Sequence, residues 1–188
     1  MATRKTTKRA SDGGVRTRET TPKKPSPRSK QAPSTGVREG MRAPTEKLAD
    51  QSGRLFSWKA LKGKAFVLYF YPRDKTSGCT REAGDFRDRL SEFTRARVEV
   101  LGVSPDSVES HASFADQEGL NFTLLSDPDH RLAEAYGTWI KKKNYGREYM
   151  GIDRSTFVVD ARGIVRKVFR GVRVPGHVDR VLEAIGEL

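Results

Sequence analysis

Cys79 is the only cysteine in this chain of 188 residues, and it is the side chain best suited to nucleophilic chemistry. One cysteine cannot close a disulfide within the chain. Nor can it supply a multi-cysteine zinc or iron–sulfur site. Two readings of Cys79 stand open, a small buried hydrophobe and a reactive thiol. The three histidines, His111, His130 and His177, lack metal-ligand spacing and read as surface or capping residues. No glycine-rich phosphate loop sits in the required strand-to-helix context. The sequence calls for no metal and no cofactor.

The elements around Cys79 give the second reading its weight. Phe66–Tyr71 is a continuous apolar run rich in β-formers, the mark of a strand buried on both faces. Its aromatics read as core rather than as a base-stacking platform. The polar segment Pro72–Gly78 leaves that strand. Apolar residues at Ala83, Phe86, Leu90 and Phe93 then predict one amphipathic helix over 80–96. Cys79 therefore falls at a helix N-terminus, where free N–H groups and the helix dipole favour an anion. The carboxyl end of a central strand is also where sites form in open α/β sheets.

Further along, strands are expected over 98–103, 122–125, 156–159 and 164–169. Helices are expected over 108–117, 129–136 and 178–185. Asp160–Gly163 reads as a hairpin turn, and Trp139 with Lys141–Lys143 as a loop holding one anchored aromatic. A docking surface for a reductase is the other reading of that loop. The order implies an α/β fold with a central mixed β-sheet flanked by helices.

Charge divides the chain unevenly. Lys and Arg number 36 against 24 Asp and Glu, a formal +12. Residues 1–36 carry ten Lys/Arg against Asp12 and Glu19, with no aromatic, Leu or Ile. Such a segment cannot bury enough apolar surface to offset its ordering entropy, so it is expected to be a disordered basic tail. Residues 37–188 are expected to form one domain. Thr21-Pro22-Lys23-Lys24 and Ser26-Pro27-Arg28 resemble elements of linker-histone tails, which suggests non-specific contact with nucleic acid. A plain solubilising extension is the alternative. The longest apolar run, Ala65–Tyr71, is far short of the roughly 20 residues of a membrane helix. An intracellular protein is expected, cytoplasmic or, through the tail, nuclear or nucleoid-associated.

Pro72, Thr76 and Cys79 form a Pro-x3-Thr-x2-Cys pattern. The wider stretch Tyr69–Ala83 closely resembles the peroxiredoxins, in particular the peroxiredoxin Q or bacterioferritin comigratory protein subfamily. Leu125-Ser126-Asp127-Pro128, Tyr136-Gly137, and Tyr149–Ile152 leading into Arg154-Ser155-Thr156-Phe157 match in order. The resemblance implies a thioredoxin-like fold and reduction of hydrogen peroxide and organic hydroperoxides. Carried over, it makes Cys79 the peroxidatic nucleophile and Thr76 a hydrogen-bond partner of thiolate and peroxide. It makes Pro72 a wall of the pocket and Arg154 a cation stabilising the reacting sulfur and oxygens. Backbone N–H groups around Gly78 complete the donors. Glu82, one turn after Cys79, reads either as the orienter of the arginine or as an ordinary first-turn glutamate.

The chain departs from the subfamily five residues after Cys79. Many members have a resolving cysteine there, and this chain has Gly84. The resemblance therefore implies a one-cysteine enzyme whose sulfenic acid is reduced by an external thiol: thioredoxin, glutaredoxin or glutathione. A monomer or weak dimer is expected. The contrasting reading is a nucleic-acid-associated protein on the same scaffold, with peroxidase activity secondary.

Overall fold

The computed structural model describes residues 36–144 and 146–188. The expected disorder of residues 1–36 lies outside them, apart from Gly36. Strands are β1 (Ala49–Asp50), β2 (Ala65–Phe70), β3 (Val98–Ser104), β4 (Thr123–Ser126), β5 (Trp139–Asn144), β6 (Arg147–Ile152), β7 (Ser155–Val159) and β8 (Val165–Phe169). Helices are α1 (Ser77–Asp88), α2 (Leu90–Arg95), α3 (Val108–Glu118), α4 (Arg131–Tyr136) and α5 (His177–Gly186). Six strands form one mixed sheet in the order β1-β4-β3-β2-β7-β8. β2, β3 and β4 run parallel, with helices in the crossovers, and β7 and β8 add antiparallel beside β2. Parallel neighbours need such crossovers because a tight turn cannot reverse the chain twice.

β2 is the hub. Its alternating side chains feed two cores, one on each sheet face. Val67 and Tyr69 pack with Phe86, Phe93, Phe114 and Val181 from α1, α2, α3 and α5. Phe66, Leu68 and Phe70 pack with Leu132 and Tyr136 of α4 and with Phe157. The apolar run is thus core, as expected.

Gly102 on β3 stands opposite Tyr69 in the parallel register. A Cβ there would come within 2.8 Å of the Tyr69 ring and Leu124 Cδ2. Gly102→Ala is expected to destabilise the fold by roughly 1–3 kcal/mol through overpacking. A urea midpoint equal to that of the wild type would contradict this.

Three expectations need correction. The single helix over 80–96 is two helices, broken at Arg89, whose φ/ψ of −102/5° leaves the helical region. The expected loop after Trp139 is a two-stranded hairpin, β5 paired with β6. His111 and His177 are core residues, 0% and 1% exposed, because each has a hydrogen-bond partner that permits burial. His130 takes the N-cap position, but its side chain makes no cap hydrogen bond. It precedes α4 at φ +59° and stacks on Trp139 at 3.7 Å.

Candidate active site

α1 begins at Ser77, so Cys79 is its third residue and lies just beyond the end of β2. Thr76 occupies the N-cap with extended backbone, yet its side chain makes no cap bond. Its hydroxyl donates instead to the Arg73 carbonyl at 3.1 Å. The N–H groups of the first helical turn, which have no intrahelical acceptor, are therefore left without the usual hydroxyl. Pro72 and Thr76 are exposed, whereas Cys79 is 1% exposed.

Arg154 lies between β6 and β7, next to β2, and reaches over α1. Its Nη2 donates to Cys79 Sγ at 3.2 Å, and its Nη1 pairs with Glu82 Oε2. Nη2 is also 3.5 Å from where a Cβ on Gly78 would stand, so the guanidinium covers the first helical turn. The structure thus brings Cys79, Gly78, Glu82 and Arg154 together, with Pro72 and Thr76 on the entering loop. Burial works against the Arg154 charge, but Glu82 and Cys79 outweigh it and hold the guanidinium protonated. Glu82 is completely buried, and its Oε1 has no hydrogen-bond partner. Burial pushes its carboxyl up to about 7, against the opposing pull of Arg154. An ordinary surface glutamate would be neither buried nor paired in this way.

Sequence reasoning missed the support behind the loop. Asp74, 6% exposed, accepts from Tyr71 Oη at 2.8 Å and Ser110 Oγ at 2.7 Å, and lies 2.9 Å from His111 Nδ1. Its backbone N–H donates to Asp106 Oδ2, which also accepts from Ser104 Oγ. Burial pushes the Asp74 carboxyl up, but hydrogen bonds from His111, Ser110 and Tyr71 win and hold it below its ordinary range. The network ties the loop before Cys79 to the ends of β3 and α3. The one available signal was His111 at a core-facing helical position, one turn before Phe114.

His177, 1% exposed, is a further buried titratable group within the field of Arg154. Its Nε2 is 2.8 Å from Thr156 Oγ1. Burial, then Arg180 and Arg154, push the imidazole down to about 4 from 6.5. As pH falls from 6.5 toward 4, the unfolded chain takes up a proton that the folded one refuses, so His177 costs stability. Glu82 acts in the opposite sense. The folded chain keeps a proton up to about pH 7 that the unfolded chain releases near 4.5, so stability is lost as pH rises through that window. Between pH 4.5 and 6.5 the two slopes oppose each other. His177→Gln is expected to unmask the Glu82 slope, a fall of about 2–3 kcal/mol in unfolding free energy across those two units. Urea titrations at several pH values would read it, and a variant profile as flat as the wild type would contradict it.

A thiol held under a guanidinium at the start of a helix, just past the end of the central strand of an α/β sheet, defines a class: the thiol peroxidases built on a thioredoxin-like fold. The comparisons agree. The AhpC/TSA family model matches residues 40–168. Peroxiredoxin Bcp of Bacillus subtilis is 46% identical over 149 residues, covering 79% of this chain and 95% of that protein. Peroxiredoxin Bcp of Escherichia coli is 41% identical over 145 residues, covering 77% and 93%. A solved structure of the Xanthomonas campestris bacterioferritin comigratory protein, studied for its alkyl peroxide reduction activity, superposes with a TM-score of 0.73 at 41% identity. It covers 76% of this chain and 90% of that one. The chain belongs to the AhpC/TSA family and is a peroxiredoxin of the Bcp, or peroxiredoxin Q, kind. It is a thiol peroxidase with one cysteine.

Proposed function

We propose that Cys79 is the peroxidatic nucleophile and that an external thiol completes each turnover. The observation that carries this is the 3.2 Å contact from Arg154 Nη2 to Cys79 Sγ. The thiolate attacks one peroxide oxygen, the O–O bond breaks, and the other oxygen leaves as hydroxide or alkoxide and takes up a proton. Cys79 becomes a sulfenic acid. Arg154 and the first-turn N–H groups at Gly78 and Cys79 stabilise charge on sulfur and oxygens through fixed donors. Glu82 orients Arg154 by pairing with Nη1, which leaves Nη2 for sulfur. Rotation about Cα–Cβ turns the Thr76 hydroxyl from Arg73 to the substrate, and Pro72 walls the approach.

Hydrogen peroxide and organic hydroperoxides are the substrates we assign. The alkyl peroxide reduction activity of the Xanthomonas campestris relative supports the second. The candidate reductants are thioredoxin, glutaredoxin and glutathione, and the working unit is a monomer or weak dimer in the cytoplasm. Gly84, inside α1, lowers the cost of unwinding the turn that hides Cys79. Intact-mass measurement after one equivalent of peroxide tests the scheme. A gain of one oxygen, or a mixed disulfide when thiol is present, is expected, and an unmodified mass would overturn it.

The surplus of basic residues in 1–36 supports a second role, non-specific contact with nucleic acid or an address to nucleus or nucleoid. Deleting the tail is then expected to leave peroxide kinetics unchanged and to remove salt-sensitive DNA binding.

A further inference from the structure

A groove of about 640 Å³ lies against the back of Arg154, outside the site just described. The loop Arg170–Pro175 and the start of α5 line it, with Phe169, His177 and Arg180. The Val172 N–H donates to the Arg154 carbonyl at 2.9 Å, and the Gly171 N–H to Asp153. The wall of the groove and the sulfur of Cys79 are thus joined by a single arginine, backbone at one end and guanidinium at the other.

The groove is positive and uncommitted. Arg170 is engaged, donating to the carbonyls of Val37, Tyr136 and Gly137. Arg173 and Arg180 are exposed, and the arginine ion pairs among the described residues involve other arginines. Arg180 folds back toward Gly176 and the Arg173 carbonyl, at the mouth of the groove. The N-terminus of α5 adds its dipole there, with Gly176 at the N-cap offering no side chain to satisfy it. His177 is 1% exposed, lines the groove, and its Nδ1 has no hydrogen-bond partner. The depressed basicity of this imidazole reports the same positive field, since Arg180 and Arg154 contribute to it after burial.

We propose that this groove seats the carboxylate of a small anionic thiol, the reductant that attacks the Cys79 sulfenic acid. The proposal rests on the peroxidase reading above and supplies the reductant class that reading leaves open. The incoming thiol's sulfur bonds to Cys79 Sγ, and the sulfenic oxygen leaves as water with the thiol proton. A second thiol then attacks the mixed disulfide and releases the Cys79 thiolate and a disulfide of the two small thiols. Two thiols are oxidised for each peroxide reduced. Arg173 and Arg180 act by holding the anion, above the buried and unpartnered Nδ1 of His177 in the groove wall.

The test uses the full chain, with the sulfenic acid formed first by one equivalent of peroxide. Its reduction is then timed with glutathione, which carries two carboxylates, and with 2-mercaptoethanol, which carries none. Arg173→Glu/Arg180→Glu is expected to lower the glutathione rate relative to the 2-mercaptoethanol rate by about 10-fold. Arg173→Lys/Arg180→Lys is expected to keep the wild-type ratio. An unchanged ratio in the charge-reversed variant would overturn the groove's role. So would turnover supported by thioredoxin while glutathione reduces no sulfenic acid. Failure of peroxide to oxidise Cys79 in the absence of thiol would instead strike the peroxidase reading on which the proposal stands.

Discussion

Cys79→Ser is expected to lower thiol-dependent peroxide consumption by at least about 10³-fold. Serine nearly matches cysteine in volume, so the substitution at this 1% exposed position disturbs packing little. A hydroxyl is not ionised by one guanidinium and a helix start at neutral pH, and its oxygen is a poor nucleophile toward peroxide. Arg154 would then hold a neutral acceptor in place of sulfur. The measurement is peroxide loss with saturating thiol, beside intact mass. Activity within a few-fold of the wild type would remove Cys79 from the mechanism.

Arg154→Leu is expected to act on rate and stability together. It removes a positioned cation from the reacting sulfur, a loss of about 10²–10³-fold in the peroxide step. It also leaves Glu82 completely buried without its partner, and with the pull of Arg154 gone the carboxyl takes up a proton at neutral pH, so the expected cost is that of a buried polar group left unpaired, roughly 1–3 kcal/mol. The two effects separate in the double variant Glu82→Leu/Arg154→Leu. With the unpaired buried carboxyl gone as well, stability is expected to recover most of its loss while the rate stays low. Denaturant unfolding and single-turnover oxidation read the two quantities. If Arg154→Leu oxidised at the wild-type rate, the guanidinium would have no place in the chemistry.

The strand at 65–70 was legible as a continuous apolar run and the helix that follows it by its apolar period, and together they located Cys79. The break at Arg89 was not. No Pro or Gly marks it, and Phe86 and Phe93 continue the apolar spacing on both sides. Arg89 instead bridges Glu92 and Asp179, a contact that exists only once α5 has docked. The β5–β6 hairpin was hidden for a different reason. Lys141 and Lys143 are exposed, as are Arg147–Met150 on the facing strand, so no alternation is written into the sequence. In the site, the partners of Cys79 came from motif resemblance. The Asp74–His111–Asp106 support escaped because its members lie on separate segments that only the closed sheet brings together.

The β5–β6 hairpin has a further consequence. It forms its own two-stranded sheet, and among the described residues its outer backbone edges meet no other strand. Unpaired edges are templates on which a second chain can add, and Tyr149 and Met150, both close to half exposed, would reward such an addition. Lys141 and Lys143 sit on β5, with Arg147 and the lysine-paired Glu148 on β6, so an arriving strand would have to desolvate or oppose these charges. Charges so placed disfavour pairing of this hairpin with the edge of a second chain.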